Sequence, residues 1–125
     1  MDPVPCRLVA IVDDDPSVLR ALGRLVRSLG FRAETYPSGE AFLAAVAAVR
    51  PDEVLLDLHL PGLRGPEVIA AMRGRGVSAR VVVMTGLDRP GSRDSCLDAG
   101  AFAYVTKPVG REDLALLFDG AGEPG

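Results

Sequence analysis

The chain has 125 residues, with hydrophobic side chains at 48% and charged ones at 25%, which suits one globular domain with its own core and leaves no room within these residues for a second. A net charge of −3 and a pI near 5.1 argue against direct contact with DNA by this chain's own surface. The apolar runs are too short for a membrane span. The first residues lack a basic segment followed by an apolar one, so no secretory signal is expected and the setting is read as cytoplasmic. Cys6 and Cys96 have no metal-site spacing and read as inert thiols in a reducing compartment.

Residues 1–6 form a short N-terminal extension. Leu8 to Val12 is an unbroken apolar run, as in a parallel strand covered on both faces. It ends in Asp13, Asp14 and Asp15. Pro16 follows, and Val18, Leu19, Leu22, Leu25, Val26 and Leu29 recur at helical spacing, with Asp15 as N-cap and Gly30 as the stop. Phe31 to Tyr36 alternates weakly and reads as an edge strand. Ser38 caps a second helix with Phe42, Ala45, Val46 and Val49 on its inner face, ending at Arg50-Pro51.

Glu53-Val-Leu-Leu-Asp57 is a second non-alternating run, closed by Asp57 and then broken at Pro61-Gly62. Pro66 starts a third helix with Val68, Ile69 and Met72. Arg80 to Met84 makes a fourth strand leading to Thr85-Gly86. After a polar loop, a short helix with a thin apolar face (Cys96, Leu97, Ala99) ends near Gly100. Ala103 to Thr106 is a fifth strand, followed by Lys107-Pro108. A last helix runs from Arg111 to Phe118, and residues 120–125 look like a linker.

Five strands alternating with five helices specify an α/β domain over about residues 7–119, a doubly wound parallel sheet in the flavodoxin-like order 2-1-3-4-5. In such a sheet the carboxyl ends of the strands share one edge. Asp13 and Asp14, Asp57, Thr85 and Lys107 then converge. Three carboxylates repel in a partly dry site unless a cation offsets them. Oxygen ligands without a His or Cys cluster point to Mg²⁺, or Mn²⁺ in its place. An ammonium and a hydroxyl beside them suit a transient phosphoryl group, and a carboxylate can be its acceptor. Each residue also has a plain structural alternative: Asp57 as a strand-end turn, Asp13 and Asp14 as caps, Lys107 as a solvated side chain before proline. Asp15 already fills the capping role, which leaves Asp13 and Asp14 over.

Five motifs in order, Val-Asp-Asp-Asp-Pro-Ser (12–17), Leu-Leu-Asp-Leu-His-Leu-Pro-Gly (55–62), Met-Thr-Gly (84–86), Asp-Ala-Gly-Ala (98–101) and Tyr-Val-Thr-Lys-Pro (104–108), resemble the receiver domain of two-component response regulators. The Asp-Asp-Asp-Pro-Ser and Thr-Gly forms are similar to the nitrogen-fixation and nitrate regulator subgroup. The resemblance implies that a sensor histidine kinase phosphorylates Asp57. It implies Asp14 and Asp57 as metal ligands, Asp13 assisting through water, and the His59 backbone carbonyl as a further ligand. Thr85 and Lys107 would contact phosphoryl oxygens, Thr85 and Tyr104 would form a switch pair, and the bond to Pro108 would be cis. Dimerisation on phosphorylation and a DNA-binding output domain outside this chain are family expectations that no residue here decides. The domain would assist its own modification without being a turnover enzyme.

Three departures sit near partner surfaces: Val109 where an aromatic is commoner, Leu19 where a basic residue is, and the Gly/Pro-interrupted start of the fourth helix. Two other classes fit the residues less well. An aspartyl-phosphate phosphatase needs a second acid two residues after the nucleophile, where this chain has His59. An interaction module that takes no phosphate would lack an acid or the lysine, and a flavin carrier needs a phosphate-cradling loop where this chain has acids.

Overall fold

The computed structural model describes residues 7–122; the expected extension at 1–6, with Cys6, and the last three tail residues lie outside them. Strands and helices alternate throughout: β1 Leu8–Val12, α1 Pro16–Ser28, β2 Arg32–Tyr36, α2 Gly39–Val49, β3 Glu53–Asp57, α3 Gly65–Gly74, β4 Arg80–Thr85, α4 Ser92–Ala99, β5 Ala103–Thr106 and α5 Arg111–Gly122. All pairings are parallel and the order is β2-β1-β3-β4-β5.

The non-alternating runs are the central strands. Every residue of β1 and of β3 is buried, because helices cover both sheet faces. β2, whose outer residues are exposed, is the edge that its weak alternation suggested. Side chains two apart share a face, so β1 splits between two cores. Ala10 and Val12 join Phe42, Val46, Ile69 and Met72 under α2 and α3, with Cys96 of α4. Val9 and Ile11 join Leu22, Val26, Leu114 and Phe118 under α1 and α5. At about 25 cal/mol per Å² of apolar surface removed from water, these two layers are the main force holding the strand tips together.

The helix ends follow from local chemistry. Asp15 Oδ1 accepts the Ser17 N–H at 2.9 Å, ahead of Pro16, and Ser38 Oγ accepts the Ala41 N–H at 3.0 Å; such caps are worth about 1 kcal/mol each. Gly30, at φ +94°, donates to the Arg27 carbonyl at 3.0 Å and ends α1. At Gly39 a Cβ would stand 2.8 Å from Val68 Cγ2, so glycine lets α2 close on α3.

One boundary differs from the sequence reading. The last helix continues to Gly122, so residues 120–122 are its final turn instead of the start of a linker. Glycine in a helix costs only about 1 kcal/mol relative to alanine, too little by itself to end one.

Candidate functional site

The strand tips of β1, β3 and β4 and the turn after β5 bring the chemistry to one edge. Backbone bonds fix the tips: Leu58 N–H donates to the Met84 carbonyl at 2.8 Å, and Lys107 N–H to the Thr85 carbonyl at 2.7 Å. Asp13, Asp14 and Asp57 each offer a carboxylate oxygen, and these oxygens all lie within 4.8 Å of one another. Asp13 and Asp57 are buried and Asp14 is exposed. The Lys107 ammonium reaches between them, donating to Asp13 Oδ2 at 2.6 Å and lying 3.4 Å from Asp57 Oδ1. The Lys107-Pro108 bond is cis.

These groups perturb one another. Burial raises the Asp57 carboxyl above its ordinary value; the Lys107 charge opposes this and the Asp13 charge adds to it. Burial alone would lower Lys107, but the hydrogen bond to Asp13 and the charges of Asp57 and Asp13 outweigh it and hold the amine above its usual range. Lys107 is thus a firmly protonated cation and a poor nucleophile. It is also the single lysine of the chain: the other thirteen basic side chains are arginines.

Three acids against one ammonium leave an excess of negative charge in a half-dry pocket. The donors are hard oxygens, one of them open to solvent through Asp14, which fits a small divalent cation that keeps several waters. Asp13 is already committed on both oxygens, Oδ2 to Lys107 and Oδ1 to the Asp15 N–H at 2.9 Å. Asp14 and Asp57 are the freer ligands, and the Asp57 contact to the His59 N–H is a long 3.5 Å.

The remaining expected residues are placed less directly. Thr85 is fully buried, and its hydroxyl is engaged by its own loop: it donates to the Leu87 carbonyl at 2.8 Å and accepts the Leu87 N–H at 3.1 Å. Tyr104 is buried and packs with the α2–α3–α4 core. Its hydroxyl donates to Asp88 Oδ1 at 2.9 Å, so the ring expected to act as a switch partner of Thr85 is already inside. Burial first, and Asp88 second, raise that phenol. The His59 side chain is exposed.

Sequence reasoning missed Asp88. An acid three residues beyond Thr85, in the loop that Thr85 itself organises, was the available signal. It also passed over Arg64 and Arg89, the arginines that follow β3 and β4 in the two loops flanking the site.

Comparison with known proteins agrees on one family. A family model described as the response regulator receiver domain matches residues 9–119. The transcriptional regulatory protein KdpE of Mycobacterium tuberculosis is 39% identical over 107 residues, covering 86% of this chain and 47% of that protein. The response regulator MprA of Mycolicibacterium vanbaalenii is 38% identical over 130 residues, covering 96% of this chain and 56% of that protein. The chain therefore spans about half the length of the curated relatives it matches. Among solved structures, the signal receiver domain of NarL from Mycobacterium tuberculosis superposes with a TM-score of 0.82 at 29% identity, covering 95% of this chain and 100% of that one.

Proposed function

The chain belongs to the response regulator receiver domain family, and on that premise we propose that Asp57 is its phospho-acceptor. The observation that carries this reading is the meeting of Asp13, Asp14 and Asp57 oxygens within 4.8 Å of one another, with the Lys107 ammonium against Asp13 and Asp57. Phosphoryl transfer is mostly positioning and charge neutralisation, and this cluster supplies both.

In the proposed step an Asp57 carboxylate oxygen attacks the phosphorus of a phosphohistidine on a sensor histidine kinase. The new O–P bond forms as the P–N bond breaks, and its electron pair stays on the imidazole nitrogen. Lys107 exchanges part of its pairing with Asp57 for a phosphoryl oxygen. Asp13 keeps the ammonium aimed at the pocket. Asp14, Asp57 and the His59 backbone carbonyl would hold Mg²⁺ or Mn²⁺, with Asp13 acting through water, and the ion would neutralise phosphoryl oxygens. Hydrolysis of the acyl phosphate returns the carboxylate, so the domain assists its own modification and is no turnover enzyme.

The reading extends to a switch. Thr85 would leave Leu87 for the phosphoryl group, loosening the loop that carries Asp88, the hydrogen-bond partner of Tyr104. A local charge event would then bias the α4–β5–α5 face, the surface offered for output or for dimerisation, in the cytoplasm and without nucleic-acid contact by this domain. Relatives named as transcriptional regulators favour a DNA-binding output region.

Intact mass spectrometry after incubation with acetyl phosphate tests the acceptor. Wild type with Mg²⁺ is expected to gain one phosphoryl group, whereas Asp57→Asn, or wild type with chelator, gains none. In the same samples the Tyr104 ring and Leu87 amide resonances are expected to shift on phosphorylation. Equal labelling of Asp57→Asn would refute the assignment.

A further inference from the structure

A cavity of about 330 Å³ lies beside the acidic cluster and is lined by arginines where the cluster has carboxylates. It begins at Leu58 and His59, the two residues directly after the acceptor, and runs between the loops following β3 and β4 to the start of α4. Its chargeable lining is Arg64, Arg89 and His59, joined by the hydroxyls of Ser92 and Ser95; no carboxylate lines it. Among the described residues neither guanidinium has a carboxylate within 4.0 Å. The acids nearest them in sequence are engaged elsewhere: Glu67 accepts the Arg64 backbone N–H at 2.9 Å, and Asp88, next to Arg89, accepts the Tyr104 hydroxyl at 2.9 Å. Leu58, Pro66 and Pro90 provide apolar wall. Two unpaired cations over an apolar wall in a chain of net negative charge describe a site for a small carboxylate with a short hydrocarbon part.

Resting on the phospho-acceptor reading, we infer that this cavity receives the departing acyl group when a small acyl phosphate, in place of a protein, phosphorylates Asp57. An Asp57 oxygen bonds to phosphorus while the bond from phosphorus to the acyl oxygen breaks. The electron pair leaves on that oxygen, and a carboxylate anion departs without needing a proton. Charge on the leaving oxygen grows through the transition state, so Arg64 and Arg89 stabilise it more than they stabilise the bound donor. They are specificity residues: they select a donor whose leaving group is an anion.

The test compares two donors on the intact chain. Acetyl phosphate releases acetate. Phosphoramidate, already protonated on nitrogen, releases neutral ammonia. Initial rates of Asp57 phosphorylation are measured by intact mass for wild type, Arg64→Gln, Arg89→Gln and the double variant. The expected result is that the acetyl phosphate rate divided by the phosphoramidate rate falls about tenfold in the double variant, the scale of one lost charge-assisted hydrogen bond. Arg89→Lys should recover part of that ratio. A ratio equal to wild type, whether both rates hold or both fall together through a structural defect, overturns the inference and leaves the acceptor assignment intact. Failure of both donors to modify wild type would overturn the acceptor assignment and this inference with it.

Discussion

The two ends of the central strands carry the same ingredients in opposite proportion. At the carboxyl end, Asp13, Asp14 and Asp57 cluster beside one ammonium, which reaches Asp13 and Asp57. At the amino end, Glu53, 2% exposed, sits between two guanidiniums: it pairs with Arg7, and Arg80 Nε lies 4.0 Å from Oε1. There Arg7 also donates to the Phe118 carbonyl at 3.2 Å, and Arg80 stacks 3.5 Å over the Phe102 ring. That end is closed, and its two guanidiniums hold β1, β3, β4 and α5 in place, with Arg80 Nε buried and without a hydrogen-bond partner among the described residues. The other end is left short of cations and open through Asp14. Buried charge alone therefore does not mark a functional site; an excess of buried acid with an opening does.

This contrast yields graded expectations. The largest is for Glu53→Ala, which strands two guanidiniums and empties a packed position. It should lose roughly 3–5 kcal/mol in urea denaturation while its Asp57 phosphorylation rate stays within about twofold of wild type. A stable variant would mean that the arginines repair the loss through water. Next is Lys107→Ala, measured without metal: it should lose about 1–3 kcal/mol, toward the lower figure because the side chain is partly exposed. Added Mg²⁺ should restore more stability to this variant than it adds to wild type, since the carboxylates then lack the one cationic side chain that pairs with them among the described residues. Equal Mg²⁺ increments would show that no acid excess governs that end.

The smallest effect concerns pH. Burial raises the Glu53 carboxyl, and the charges of Arg7 and Arg80 offset this only in part. A raised value in the folded state means its stabilising share is complete below the unfolded value, near 4.3, and is lost as pH rises through the folded one. Glu53→Gln deletes that dependence. Its stability relative to wild type should climb from about pH 4 upward; a flat difference would contradict the cause given for the raised carboxyl.

Much of this architecture was legible in the chain. Unbroken apolar runs at 8–12 and 54–56 separated central strands from edges, and Asp15-Pro16 fixed the start of α1 so firmly that Asp13 and Asp14 had to be read as something else. Strand order then brought Asp57 and Lys107 together before any coordinates. What could not be read depends on side chains meeting across long separations. Glu53 looked like an ordinary strand opening; its burial is created by Arg7, 46 residues earlier, and by Arg80. The Lys107–Asp13 bond spans 94 residues. Thr85 was recognised as a hydroxyl at the site, but its capture by Leu87 is a loop geometry that composition does not encode. Nothing in residue type foretold that Tyr104 would be inside and held by Asp88, and the cation-lined cavity exists only once the loops after β3 and β4 face each other.

Lys107 supplies the chain's single ε-amine, a fact with practical reach. Because that amine is held protonated between Asp13 and Asp57, amine-reactive reagents should modify the folded chain at its α-amino group well before Lys107. A tag or bead that did react with Lys107 would remove the donors that hold the two carboxylates and block the pocket it was meant to observe, so immobilisation of this chain should go through other groups.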